Sequence, residues 1–212
     1  ERIDTPRIDS LAAGGARFTD FYAPQPVCGP SRAGLMTGCY PNRVGEAIEH
    51  DNYHTIPSAD EILLPAVLGD AGYRTAGIGK WHLAGSGRQA IDDGAADSGF
   101  DGFEMQIPEA MPIEQGFDSY LGIPYSNDMR PSVLLRGSDV VETPVQQSSL
   151  TTRYTDEAIR FIRDSEDPFF AYLAYNMPHS PLHPPQESFG ESEQGLFADA
   201  VEEIDRNVGR IV

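Results

Sequence analysis

Three stretches of the sequence carry side chains that could bind and attack an anion. The first is PVCGPSRAGLMTG, in which Cys28 precedes Arg32 by four residues. In the second, Lys80 and His82 follow the apolar segment YRTAGIG, and in the third, His179 follows FFAYLAYN. A cysteine beside a helix N-terminus and an arginine lies in a positive field. The spacing therefore favours a nucleophile or a bound anion at Cys28.

Each of these residues taken singly also has an ordinary structural explanation. A lone cysteine is more often a small buried apolar residue than a nucleophile, and a disulfide between Cys28 and Cys39 is a further alternative. A single lysine or histidine in a loop is usually solvated. What favours chemistry is that a cysteine, an arginine, a lysine and two histidines all follow predicted strands. The Asp92-Asp93 pair is interpreted as surface charge.

Strands and helices that alternate along the chain must position these residues. Apolar segments predict strands at 16–23, 73–79 and 169–176, and the last is continuously apolar, as in a buried parallel strand. Capping residues and helical spacing predict helices over 6–14, 30–37, 58–72, 151–164 and from 197 onward. Residues 84–150 are interpreted as long loops with short strands. The alternation indicates an α/β fold, in which ligands bind at the carboxyl ends of the strands.

Composition limits the possible functions. The 212 residues, of which 40% are hydrophobic, suit one α/β domain or a part of a larger one. The net charge of −18 argues against a nucleic-acid surface. No apolar run reaches the length of a membrane span, and two cysteines form neither a disulfide framework nor a zinc site. Because the first residue is Glu rather than Met, we expect an excerpt of a longer chain.

Two of these segments resemble sulfatase signatures. CGPSRAGLMTG resembles the first signature, C-x-P-S-R-x-x-x-x-T-G, and GYRTAGIGKWHL resembles the second. RIDTPRIDSLAAGGARFTDFY is similar to the family's opening segment, FFAYLAYNMPHSPL to its substrate-histidine segment, and YLGIPYSND to a stretch of the arylsulfatase A branch. The resemblance covers nearly the whole chain. It implies hydrolysis of sulfate monoesters on an alkaline-phosphatase/sulfatase-like fold, a mostly parallel sheet flanked by helices, incomplete in this chain.

The resemblance also implies roles for the residues of the first two segments. In the family, the cysteine of C-x-P-S-R is oxidised to formylglycine, and Cys28 would be that residue. The hydrated aldehyde attacks sulfur with one oxygen and expels sulfate with the other. Arg32 would hold this diol, and Lys80 would contact both the diol and the sulfate. His82 would take the proton that drives sulfate release.

Two more residues would complete the substrate site. His179 would bind the sulfate and help to protonate the leaving oxygen, and Ser126 matches a position that contacts the substrate site in the arylsulfatase A branch. The resemblance implies a calcium ion, contacted by Cys28 as formylglycine. Its other ligands, an Asp-Asp pair and an Asp-Asn pair, are expected outside this sequence. We therefore expect 1–212 to be the N-terminal part of a sulfatase catalytic domain, without its first metal-binding strand and C-terminal portion, and inactive alone.

Two alternative functions stay open at this point. A phosphonate or phosphate monoester hydrolase of the same superfamily would use the same diol on phosphorus. A noncatalytic, acidic calcium-binding module would leave Cys28 unmodified, but it does not explain the Cys-Arg and Lys-x-His spacings. The expected partners are a small-molecule or glycan sulfate ester and, during maturation, the formylglycine-generating enzyme, with neither nucleic acid nor a transmembrane segment. The expected location is periplasmic, secreted or lysosomal.

Overall fold

One mixed sheet organises the part of the chain that the structure describes. The structure is a computed structural model and describes residues 3–44, 57, 60–84, 108–129 and 132–212. Within them the strands are β1 (Arg74–Gly79), β2 (Ser119–Gly122), β3 (Leu134–Arg136), β4 (Asp139–Glu142) and β5 (Phe169–Ala174). The sheet order is β4-β3-β2-β1-β5. β1 pairs in parallel with β2 and β5, whereas β2–β3 and β3–β4 are antiparallel pairs.

Helices cover this sheet. In the described ranges they are α1 (Pro6–Gly14), α2 (Cys28–Thr37), α3 (Pro41–Val44), α4 (Leu64–Asp70), α5 (Leu150–Arg163) and α6 (Leu196–Ile211). α5 packs on β1, β2 and β5, and α6 packs on α5 and α1. The predicted α/β class is therefore confirmed. No helix of the described residues is long and apolar enough to cross a membrane.

Two clusters of buried apolar side chains lie on opposite faces of the sheet. One contains Trp81, and the other contains the buried face of α5. On β5 the side chains alternate between them, because successive residues of a strand point to opposite faces. Phe170 and Tyr172 pack against the first cluster, and Ala171 and Leu173 pack against the second. Both faces of the sheet are thus covered.

The predicted strand at 16–23 is wrong. The segment follows α1 as an irregular stretch, and its aromatic side chains Phe18, Phe21 and Tyr22 are 76%, 78% and 83% exposed. Alternating polar and apolar residues favour a strand only where another strand accepts its backbone hydrogen bonds. Within the described ranges no strand pairs with this segment. The pattern therefore did not determine the structure.

Other element boundaries also differ from the prediction. The helix expected from residue 30 begins at Cys28, and the one expected from residue 58 begins at Leu64, with Pro65 in its first turn. Proline fits the first turn because its missing N–H has no helical partner there. β5 is half-buried rather than buried and ends at Ala174, because in the described sheet it pairs on one side only. The short strands predicted among the loops of 84–150 are confirmed by β2, β3 and β4. Residues 85–107, with Asp92-Asp93, and residues 130–131 lie outside the described residues.

Two glycines let the carboxyl ends of the central strands come together. Gly79, with φ of +103°, ends β1, and a Cβ there would lie 2.0 Å from the carbonyl oxygen of Ala174 on β5. A Cβ on Gly122, at the end of β2, would lie 1.8 Å from the carbonyl oxygen of Gly79. Only a residue without a side chain fits at either position. The next residue after Gly79 is Lys80, so this contact positions the predicted site.

Substituting Gly122 tests this constraint. Gly122→Ala should lower the free energy of unfolding by about 1–3 kcal/mol or more, because the added methyl group forces β1 and β2 apart. The matched control is Gly69→Ala in α4, where a Cβ meets nothing within 4 Å. That substitution should raise stability by about 0.5–1 kcal/mol. Chemical denaturation measures both, and equal stability of Gly122→Ala and the parent would contradict the close approach.

Candidate active site

The segment after β1 brings Lys80 and His82 into the interior. The backbone N–H of Lys80 donates to the carbonyl of Ala174 over 2.8 Å, and that of His82 donates to the carbonyl of Pro124 over 2.9 Å. Both side chains are buried, with exposed fractions of 2% for Lys80 and 6% for His82. Buried ionisable groups of this kind need partners or a shifted pKa. Their surroundings therefore decide their charge.

The Lys80 ammonium joins two other predicted residues. Its Nζ donates to Oγ of the buried Ser126 over 2.8 Å and lies close enough to the Cys28 side chain to interact with it electrostatically. Burial is the main cause that lowers the pKa of Lys80, and the Arg32 charge adds to it, whereas Cys28 and Asp128 oppose the shift; the net result is a pKa of about 8. Lys80 therefore stays cationic at neutral pH. None of the described salt bridges pairs Lys80 with a carboxylate. Its charge therefore acts on the thiol without being neutralised by a direct ion pair there.

Arg32 and Cys28 approach the same point from α2. Nη1 of Arg32 donates to the backbone carbonyl of Lys80 and, over 2.9 Å, to the hydroxyl of Tyr172 on β5. Cys28 is half-buried and forms the first residue of α2, whose first turn contains no acidic side chain and no side-chain cap. The N-terminal partial positive charge of the helix therefore acts directly beside the thiol. Hydrogen bonds connect Arg32, Lys80 and Ser126, and Cys28 interacts electrostatically with Lys80 beside them.

His82 is buried in a conformation that costs free energy. Its φ of 61° lies in the left-handed region, which is uncommon for residues other than glycine. Neither ring nitrogen has a hydrogen-bond partner within the described structure. Burial, followed by the charges of Lys80 and Arg32, lowers its pKa to about 3. His82 is therefore a neutral imidazole with free nitrogens, and strain of this kind is typical of functional sites.

His179 reaches the site from the loop after β5. Its backbone N–H donates to the carbonyl of Asn176 over 3.1 Å, and its Nδ1 donates to the carbonyl of Ser180 over 2.5 Å. Because a carbonyl only accepts, this bond leaves Nε2 for another partner. The charge of His179 contributes to lowering the pKa values of His82 and Asp128. The half-buried His179 thus faces the same cluster without a direct bond to Cys28, Arg32 or Lys80 among the described hydrogen bonds.

The sequence analysis missed Asp128 and Tyr172. Burial raises the pKa of Asp128, but hydrogen bonds from Ser126 and from its own backbone, with the charges of His179 and Lys80, lower it on balance. Asp128 is the carboxylate whose charge acts on both Lys80 and His82. Its position could have indicated it, because Asp128 lies two residues after Ser126 in YLGIPYSND, the segment that is similar to the arylsulfatase A branch. Tyr172 carried none, since aromatic residues are common in any strand.

The described residues do not by themselves fit a metal ion. Among them, no group of three or more His, Cys, Asp or Glu side chains is arranged to hold one. The calcium contact implied for Cys28 therefore stays a prediction, and we derive no reaction step through a metal. Both cysteines are free thiols, Cys28 half-buried and Cys39 exposed, so the alternative of a disulfide between them is wrong.

A comparison with known proteins decides the family. The model of the Sulfatase family matches residues 1–212. The chain belongs to the sulfatase family. This sulfatase is 34% identical to the N-acetylgalactosamine-6-sulfatase of Sus scrofa, over 99% of its own length and 41% of that protein's. It is 35% identical to the arylsulfatase A of Bos taurus, over 98% of its own length and 43% of that protein's. The chain thus spans about two fifths of these relatives.

Solved structures agree on the fold. The crystal structure of Ps i-CgsB in complex with k-i-k-neocarrahexaose matches with a TM-score of 0.74 and 28% identity, over 99% of this sulfatase and 49% of that chain. The phosphonate monoester hydrolase of Agrobacterium radiobacter matches with a TM-score of 0.61 and 16% identity, over 99% of this sulfatase and 54% of that chain. The second match shows a shared fold alone. The predicted sulfatase-like fold class is confirmed.

The burial of neutral His82 predicts how stability depends on pH. The unfolded chain takes up a proton near pH 6.5, whereas folded His82 does so near pH 3, so stability falls as the pH decreases through this window. Between pH 6.5 and 5 the loss from this residue is about 2 kcal/mol. His82→Gln should therefore flatten the dependence of the urea midpoint on pH, and His183→Gln, in a half-buried loop position, should not. Parallel curves for the parent and His82→Gln would contradict the assignment.

Proposed function

We propose that this sulfatase hydrolyses sulfate monoesters, as an arylsulfatase-type sulfuric ester hydrolase, with formylglycine derived from Cys28 as the nucleophile. The observation that carries the proposal is the buried Lys80 ammonium, which hydrogen bonds to Ser126 and interacts electrostatically with both Cys28 and the Arg32 guanidinium. The chain has a net charge of −18, so the positive charge gathered around this thiol is opposite in sign to the average charge of the protein. It suits an anionic group that is attacked from residue 28.

The cations bind and orient the substrate. As formylglycine hydrate, residue 28 supplies one hydroxyl that attacks sulfur and a second whose deprotonation restores the aldehyde. Lys80 acts as a compact positive charge on the sulfate, and Ser126 holds its ammonium in place. Arg32 is held by the Lys80 carbonyl and the Tyr172 hydroxyl, so its charge stays next to residue 28. These groups are positioned before the substrate arrives, which lowers the cost of reorganisation.

Two histidines move protons in opposite directions. His82 is neutral and has two unpartnered ring nitrogens, so it can accept the proton whose loss drives sulfate release. His179 donates from Nδ1 to Ser180, so its Nε2 is the atom that binds the sulfate and carries a proton to the leaving oxygen. The division suits a reaction that first protonates a leaving group and later deprotonates a hydroxyl.

The wider setting of the reaction is proposed from the family. The substrate is a small-molecule or glycan sulfate ester, which the names of the relatives N-acetylgalactosamine-6-sulfatase and arylsulfatase A support. A calcium ion would polarise the sulfate, held in part by residue 28 as formylglycine and otherwise by ligands that the described residues do not supply. A formylglycine-generating enzyme modifies Cys28 during maturation. The mature protein works outside the reducing cytosol, as a periplasmic, secreted or lysosomal protein.

The modification provides the first test. In full-length protein from a host that contains the maturing enzyme, peptide mapping and intact mass should show an aldehyde at residue 28, and the protein should hydrolyse 4-nitrophenyl sulfate faster than an aryl phosphonate. Cys28→Ala should abolish turnover. The control Cys39→Ala, at the exposed cysteine, should retain it. An unmodified thiol in a fully active preparation would contradict the proposal, and faster phosphonate hydrolysis would favour the alternative function.

The two basic residues after β1 should fail in different ways. Lys80→Ala should lower kcat by about 100- to 1,000-fold, because it removes a preorganised charge from the transition state. His82→Ala should release the alcohol normally in the first turnover and then stall, because sulfate release lacks its proton acceptor. Stopped-flow measurement of product formation separates a burst from a uniformly slow reaction. Near-normal steady-state turnover of His82→Ala would show that its proposed role is wrong.

A further inference from the structure

A turn after β2 contacts both of the loops that carry the proposed catalytic groups. The backbone N–H of Met129 donates to the carbonyl of Ser126 over 3.1 Å, which closes the turn. Ser126 accepts a hydrogen bond from Lys80 after β1. The next residue, Asn127, turns its amide toward the loop after β5. Neighbouring residues of one turn therefore hold the two loops relative to each other.

The Asn127 side chain spans the backbone around the proposed leaving-group acid. It is 2% exposed, and its Nδ2 donates to the carbonyls of His179 and Pro181 over 3.4 and 3.3 Å. The residue between these carbonyls is Ser180, whose own carbonyl accepts the Nδ1 proton of His179. The amide thus holds the stretch of backbone that orients the imidazole.

A second buried side chain fixes the backbone of Asn127. The Nε2 atom of Gln147, in the turn before α5, donates to the backbone carbonyl of Asn127 over 2.8 Å. Gln147 is buried, and α5 packs directly on the sheet. The position of Asn127 is therefore tied to the core rather than to a mobile surface. A rigid support of this kind is what a proton donor needs, because proton transfer requires hydrogen-bond distance to the reacting atom.

We propose that Asn127 is a positioning residue for His179, holding loop 179–181 so that the imidazole meets the leaving oxygen. This inference rests on the proposed function. It implies that substituting Asn127 lowers kcat/KM more for substrates whose leaving groups need a proton more. Nitrophenolate leaves without help, whereas a sugar alkoxide must be protonated as it departs. A residue that only stabilised the fold would affect both substrates equally.

The test compares leaving groups in the full-length mature protein. The value of kcat/KM, which reports the transfer step, is measured for 4-nitrophenyl sulfate, for aryl sulfates with less acidic phenols and for N-acetylgalactosamine 6-sulfate. Asn127→Ala and the isosteric Asn127→Asp should lose about 100-fold on the sugar sulfate but less than about fivefold on 4-nitrophenyl sulfate. The plot of log kcat/KM against leaving-group pKa should become steeper. Inhibition by free sulfate should change little if Lys80 keeps its place.

The matched control is Gln115→Glu, which removes another amide-to-carbonyl bond, from Gln115 to Glu109, at an exposed site away from these loops. It should leave the slope unchanged. Partial misfolding does not affect the readout, because an inactive fraction lowers both activities by the same factor. Equal losses on all substrates, or no loss on any, would overturn the role of Asn127. A parent enzyme that hydrolyses none of the sulfate esters would instead overturn the proposed function, and this inference with it.

Discussion

A lysine ammonium in the interior is the constraint around which the described structure is arranged. Burial disfavours the charge of Lys80, and its pKa of about 8 reflects this cost. The charge persists because Ser126 accepts its hydrogen bond and because the nearby Cys28 and Asp128 favour the charge electrostatically. The adjoining glycine, Gly79, lets the strand ends approach closely enough for this arrangement. Packing of the sheet and chemistry of the site are therefore coupled at one position.

The same cluster reconciles the acidity of the chain with the anion binding that we propose. The chain has 15 basic and 33 acidic residues, so its average field repels a sulfate ester. Arg32, Lys80 and the N-terminus of α2 converge on residue 28, and within the interior their charges are screened far less than at the surface. Asp128 balances part of this charge from the exposed edge. Local arrangement, rather than net charge, determines which ligand is favoured.

Sequence patterns predicted the elements whose own residues specify them. α5 and α6, with strong helical spacing, begin within one residue of the prediction, and β1 within one residue as well. The segment at 16–23 failed because alternation indicates a strand only if a partner strand exists. The helix expected from residue 58 begins at Leu64 because a local capping pattern does not determine where the chain can pack. Errors therefore occur where distant contacts decide the structure.

For the site, the sequence by itself determined the family and predicted Cys28, Arg32, Lys80 and His82 as site residues, because two signatures keep these residues at set spacings along short segments. Tertiary structure alone decided the rest. It left the His82 imidazole buried, strained and without hydrogen-bond partners among the described residues. It also formed the hydrogen bonds from Asn127 to the loop after β5, which join residues that are far apart in the chain. Spacing within a segment constrains neighbours only, whereas burial and hydrogen bonding depend on which segments the fold brings together.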